Sequence, residues 1–179
     1  STINTFITFQ GVSVEILVTL GFIYLYLTNT LQNALYFVLI AGSLGLVYTY
    51  FYNREKILQS LITCIMIVVF ASFTLIFNNP KIYMLKTTFS FSALGVTLIA
   101  WPLFTKKTLL EALVTEISCQ RKTIYYLHYL SILFCLIAAV TNIYIVEYTD
   151  IVTWGKFKIA LALVSALYTT IVLAILCKP

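Results

Sequence analysis

Residues 58–77 read LQSLITCIMIVVFASFTLIF and contain no charged side chain. A helix needs about 20 mostly apolar residues to cross the hydrocarbon core of a bilayer. A strand of a membrane β-barrel would instead alternate apolar and polar residues, which this stretch does not do. Because a helix satisfies its own backbone hydrogen bonds in lipid, the stretch predicts a transmembrane α-helix.

Similar apolar runs lie on both sides of this segment and fill the chain. They predict further spans at about 6–27, 31–51, 82–104, 126–148 and 159–176. The first run is ambiguous because Glu15 lies near its middle, so it either spans the membrane or lies partly in the interface. The sequence therefore predicts an all-α, polytopic membrane helix bundle of five or six transmembrane helices, with residues 1–179 as a single integral membrane domain.

The composition excludes a soluble catalytic or binding domain. Mean hydropathy is +1.01, with 61% hydrophobic and 9% charged residues. The net charge of +5 comes from Lys and Arg at helix ends, as in membrane proteins, so no nucleic-acid partner is expected. The four cysteines lack CxxC spacing, and the single histidine, His128, is predicted at the membrane interface. No metal site and no cofactor are predicted.

The region between the fourth and fifth predicted spans is the longest that could leave the membrane. Leu109, Leu113 and Ile117 recur at helical spacing, which predicts an amphipathic surface helix at about 106–121. Four basic residues bracket it and are predicted to be cytoplasmic anchors: Lys106, Lys107, Arg121 and Lys122. By the positive-inside rule the C-terminus is cytoplasmic as well. The helix lies either on the inner leaflet or on the domain's own loops.

Polar residues inside the predicted spans are few, and charges there are costly. Glu15 is an intramembrane carboxylate, either functional or placed in an interfacial or protonated state. Lys86 either snorkels to the interface or lines a site. Asn142 acts either as a hydrogen-bonding link between helices or as a site residue. Lys86, Asn142 and Lys158, with Trp154 beside them, form a candidate polar site for an anionic lipid headgroup.

Four short motifs carry a resemblance to a known family. They are FASFTLIFNN at 70–79, KTT at 86–88, NIY at 142–144 and WGKFK at 154–158. In this order and spacing the chain resembles the bacterial intracellular septation protein A family, also called YciB. The resemblance implies a small multi-pass protein of the bacterial cell inner membrane, with a role in septation, cell division and cell-envelope integrity, alongside membrane proteins of the division and envelope-synthesis machinery.

No enzyme motif such as GxSxG or HExxH occurs, and no catalytic residue is predicted. The expected function is support of envelope integrity and septation through membrane-protein contacts rather than catalysis, with the lipid bilayer as the other partner. The alternative is a small transporter or lipid-handling protein with a polar site between the fourth, fifth and sixth spans. Tight packing around Asn142 would count against that alternative.

Overall fold

The structure is a computed structural model that describes residues 2–52, 54, 57–113 and 120–176, with side chains described from position 14 onward except at 59 and 113. Its helices, in chain order, are α1 (Thr2–Thr28), α2 (Leu31–Tyr52), α3 (Ile57–Phe77), α4 (Pro80–Met84), α5 (Lys86–Thr105), α6 (Leu109–Leu113), α7 (Arg121–Tyr148) and α8 (Ile151–Leu176).

The all-α membrane bundle predicted from the sequence is confirmed. Within the described ranges, five helical runs are long and apolar enough to cross a membrane: α2, Ser60–Phe77 within α3, Pro80–Thr105, α7 and α8. The run Pro80–Thr105 joins α4 and α5. From Val14 onward α1 is apolar through Thr28, and whether it crosses the membrane stays a prediction.

The first and last helices are neighbours. Helix α1 packs between α2 and α8, α2 packs on α3, and α7 packs between α5 and α8. The largest buried cluster includes Phe22, Leu35, Tyr83 and Trp154, which come from α1, α2, α4 and α8. The bundle is therefore closed by contacts between helices that are distant in the sequence.

Large apolar side chains remain on the outside of the bundle. Phe51 of α2, Ile76 of α3, Leu103 of α5 and Leu167 of α8 are each more than half exposed. On a water-soluble protein such a surface would aggregate, whereas in a bilayer it faces hydrocarbon.

Helix α8 starts at Ile151, eight residues before the predicted start of the sixth span at 159. The carboxylate of Asp150 accepts a hydrogen bond from the amide of Thr153 at 3.2 Å, which caps the helix start. The polar segment Trp154–Lys158 therefore lies inside α8 rather than at its edge. Likewise α7 starts at Arg121, not at 126, and His128 lies two turns inside it and is buried. That His128 lies at the membrane interface stays a prediction.

The predicted surface helix at about 106–121 is described only in part. Lys106 ends α5 in the left-handed conformation, with φ of 57°, so no helix begins there. Helix α6 begins at Leu109 instead, after a capping box in which Thr108 and Glu111 exchange hydrogen bonds. Residues 114–119, with Ile117 of the predicted stripe, lie outside the described residues, as does the C-terminus beyond residue 176.

Candidate functional site

Asn142 is fully buried and links three helical segments. Its Nδ2 donates to the carbonyl of Met84 at 3.2 Å and to Oγ1 of Thr88 at 2.8 Å. Its Oδ1 accepts from Nε1 of Trp154 at 3.2 Å. One amide in α7 thereby connects α4, α5 and α8, as expected of a buried polar group in lipid. The Met84 carbonyl lies at the break between α4 and α5. The Asn142 side chain therefore hydrogen-bonds to the backbone where the helix is interrupted.

Trp154 carries the connection on to α1. The indole is 1% exposed and lies 6.3 Å from the ring of Phe22, edge-on. Phe22 in turn lies 4.6 Å from the ring of Tyr83. This aromatic group holds α1, α4 and α8 together, and Lys86 and Lys158 follow Tyr83 and Trp154 by about one turn.

Lys158 and Glu15 form an ion pair at this junction. The Nζ of Lys158 lies 3.6 Å from Oε1 of Glu15, with side chains 6% and 53% exposed. The same ammonium group lies 5.4 Å from the ring of Trp154. A buried ammonium in lipid needs such partners. Both residues are conspicuous in the sequence, but nothing in the sequence predicts that they pair.

Lys86 lies beside this pair at the start of α5. Its Nζ lies 5.7 Å from the centre of the Tyr83 ring. Lys158 and Glu15 are both close enough to act on its charge. The structure therefore brings together four of the sequence-predicted residues, Glu15, Lys86, Trp154 and Lys158, while Asn142 lies on the far side of Trp154. The Glu15–Lys158 pair joins α1 to α8. Helix α1 therefore contributes to the site, although the sequence predicted a polar site between the fourth, fifth and sixth spans.

A groove of about 210 Å³ opens beside the ion pair, between α1, α5 and α8. Its polar lining comes from Glu15, Thr87, Lys158, Ser165 and Thr169, and its apolar lining from Phe91, Leu161, Ala162 and Ala166. The hydroxyl of Ser165 is buried and has no hydrogen-bond partner among the described residues. A second, almost wholly apolar groove runs between α7 and α8.

The opposite end of the bundle is basic. Lys106, Lys107, Arg121 and Lys122 are all exposed there, and we call this group the basic end. Arg121 lies 3.9 Å from Glu111, whose carboxylate also accepts from Thr108. These contacts connect the start of α7 with α6 beside the basic end.

A further polar contact near this end was not predicted. The hydroxyls of Ser131 and Tyr168 lie 2.7 Å apart and join α7 to α8. The sequence places both hydroxyls inside predicted spans, but it contains no pattern that predicts their contact. Among the described residues, no group of three or more His, Cys, Asp and Glu side chains is placed to hold a metal ion.

Comparison with known proteins finds a matching family and several relatives. The model of the family described as intracellular septation protein A matches residues 11–178. The chain is 28% identical over 123 residues to an inner membrane-spanning protein YciB from Serratia proteamaculans, covering 68% of this chain and 69% of the relative. A protein of the same name from Pectobacterium carotovorum is 29% identical over 133 residues, covering 73% and 71%.

A more similar but shorter match is to the inner membrane-spanning protein YciB of Coxiella burnetii, at 34% over 99 residues and 55% of each chain. No solved structure gives a significant match. With a family match over nearly its whole length, the chain belongs to the intracellular septation protein A family of inner-membrane proteins.

Proposed function

We propose that this protein supports septation and cell-envelope integrity in the inner membrane through contacts with membrane proteins of the division and envelope-synthesis machinery, and that it is not an enzyme. The family name supports the link to septation. The observation that carries the proposed mode of action is the basic end, where four exposed cations are available to an acidic partner surface.

The proposed orientation places the basic end and the C-terminus in the cytoplasm. Arg54 is exposed in the turn between α2 and α3, which alternating spans put on the same side as the basic end. The excess of Lys and Arg on that side supports this orientation by the positive-inside rule. The opposite end carries Lys81 in an ion pair with Glu147 at 3.4 Å, so its positive charge is partly offset.

A transport function with a polar site between α5, α7 and α8 has less support. Asn142, the polar residue at that place, is engaged by Met84, Thr88 and Trp154. The groove between α7 and α8 is lined almost entirely by apolar side chains. Neither feature offers a path for a polar solute, whereas both suit a packed bundle.

The test is complementation of a strain that lacks this protein and has a septation defect. We expect the variant with Lys106, Lys107 and Lys122 all changed to Gln to lose complementation and to lose cross-links to division proteins. The matched control is Lys156→Gln, an exposed lysine near the other end, which should complement fully. Cysteine labelling at Thr30 in both variants checks that the orientation is unchanged. Full complementation by a triple variant that inserts normally would contradict the proposal.

A further inference from the structure

The groove between α1, α5 and α8 lies beside an unbalanced positive charge. Lys158 lines the groove from α8, and Lys86 lies next to Thr87, which lines it from α5, with its Nζ 5.7 Å from the Tyr83 ring. Among the described residues Glu15 is the carboxylate that acts on both ammonium groups. Two cations against one carboxylate leave one positive charge. Inside a membrane an unbalanced charge is costly, so the site calls for one further anion.

The two lysines are at matching depth below the same end of the bundle. Lys158 follows the start of α8 by seven residues, and Lys86 follows Pro80 by six. At 1.5 Å per residue both lie about 10 Å along their helices. Helices α4 and α8 begin on the same side, since α7 returns the chain to the side where α3 ends. Both ammonium groups therefore lie just below the headgroup layer of a single leaflet.

The carboxylate at this site is incompletely covered. The side chain of Glu15 is 53% exposed, although it lies seven residues before Phe22, which packs at the level of Trp154. An exposed carboxylate at this depth lacks the water that would normally solvate it. A ligand with a hydroxyl group could donate a hydrogen bond to it.

The groove itself continues the site with an apolar wall. Phe91, Leu161 and Ala162 line it beside the charged groups. The hydroxyl of Ser165 is buried and without a partner among the described residues, one turn beyond Leu161. A ligand that fits this order has a charged head, a polar ester region and an apolar chain.

We infer that this groove binds one anionic glycerophospholipid. Its phosphate lies between Lys86 and Lys158, a headgroup hydroxyl donates to Glu15, the Ser165 hydroxyl donates to an oxygen of the ester region, and one acyl chain lies along Leu161 and Ala162. A single phosphodiester charge matches the single unbalanced positive charge. Binding of this kind is independent of the contacts proposed for the basic end.

The test uses native mass spectrometry of the full-length protein in detergent, with added phosphatidylglycerol or with phosphatidylcholine of the same acyl chains. We expect one phosphatidylglycerol to be retained in preference to phosphatidylcholine. Lys158→Gln should weaken phosphatidylglycerol binding by about tenfold or more, and Lys86→Gln should weaken it in the same direction. The control Lys156→Gln changes an exposed lysine two residues away and should bind as the wild type does.

Glu15→Gln separates a binding site from a structural ion pair. It removes the competing negative charge but keeps a hydrogen-bond acceptor, so phosphatidylglycerol should bind more tightly than in the wild type. A purely structural pair predicts that Glu15→Gln and Lys158→Gln both lower thermal stability and that neither changes the lipid preference, an outcome that would overturn the inference.

Two further arms address the ligand chemistry. Phosphatidylmethanol has the same charge without a headgroup hydroxyl and should bind about threefold more weakly, as expected for one lost hydrogen bond; equal binding would remove the role given to Glu15. Millimolar inorganic phosphate should not displace the lipid, and displacement would identify a site for free phosphate instead.

A last variant tests the location of the site. Ala162→Phe fills the groove without changing a charged residue, and retention of lipid by this variant would refute the location.

Discussion

The Nζ of Lys158 lies 3.6 Å from Oε1 of Glu15, and this contact joins the last helix to the first. Lys158 is almost completely buried there, whereas Glu15 is half-exposed. The asymmetry matters because removal of the carboxylate would leave a buried ammonium without its partner, which costs more than loss of an exposed charge.

We therefore expect the pair to show coupling in a double-mutant cycle. Glu15→Gln and Lys158→Met should each lower the free energy of unfolding in lipid-free detergent, and the double variant should be closer to wild type than the sum predicts. A coupling free energy of about 1–3 kcal/mol is expected for residues in contact. Unfolding in denaturing detergent followed by circular dichroism measures it, and additive effects would contradict the ion pair.

The second prediction concerns Asn142. Asn142→Leu removes the partner of the Trp154 indole, the Thr88 hydroxyl and the Met84 carbonyl at once, so we expect a loss of about 2 kcal/mol in the free energy of unfolding. The matched control is Thr97→Ala, because among the described residues the Thr97 hydroxyl bonds only to the Ala93 carbonyl of its own helix, at 2.8 Å. That change should stay within about 0.5 kcal/mol. Equal losses for the two variants would show that Asn142 has no special role.

The third prediction tests the close approach of α8 to α1. A Cβ atom at Gly155 would overlap the side chain of Ile23, whereas a Cβ at Gly45 meets no atom within 4 Å. Gly155→Val should cost about 1–3 kcal/mol through overpacking, and Ile23→Ala in the same chain should restore part of it. Gly45→Ala should be neutral or stabilising, since Ala favours a helix over Gly by about 1 kcal/mol. Thermal denaturation compares the stabilities of the wild type, Gly155→Val, Gly155→Val with Ile23→Ala, and Gly45→Ala.

The fourth prediction concerns acid. The hydrogen bond from the Thr153 hydroxyl, with a further one from the Thr153 amide, holds the pKa of the Asp150 carboxyl below its ordinary value. A lowered folded-state pKa stabilises the protein above the unfolded-state pKa, about 3.9, and that contribution is lost as the pH falls through the folded-state value.

Asp150→Asn keeps the capping geometry and removes only the charge. We expect it to lower the melting temperature at pH 7 and to have little effect near pH 2. Melting curves at the two pH values compare the variant with wild type. If the difference in melting temperature between Asp150→Asn and wild type became larger as the pH fell, stabilisation by the Asp150 charge would be contradicted.

The spans could be predicted from the sequence because they depend on local composition. Residues 58–77 are continuously apolar, and α3 forms over nearly the same positions. The start of α8 was missed because Trp154, Lys156 and Lys158 interrupt the hydropathy signal. What begins the helix there is Asp150, whose carboxylate caps it.

The sequence predicted which polar residues could form the site, but not which of them contact one another. Glu15, Lys86 and Asn142 are conspicuous because polar groups are rare in the apolar segments. Which of them meet depends on helix adjacency, and hydropathy contains no information on adjacency. The pairing of Glu15 with Lys158 requires α1 to lie against α8, and the small residue Gly155 facing Ile23 is the one local sign of that contact.

The neighbouring positions of α1 and α8 have a consequence for biogenesis. Glu15 is synthesised early, and Lys158 emerges from the ribosome only near the end. At ordinary translation rates the delay is on the order of ten seconds. During this time the carboxylate has no Lys158 to pair with, so the nascent chain must keep Glu15 near the interface or beside the insertion machinery until the last helix arrives.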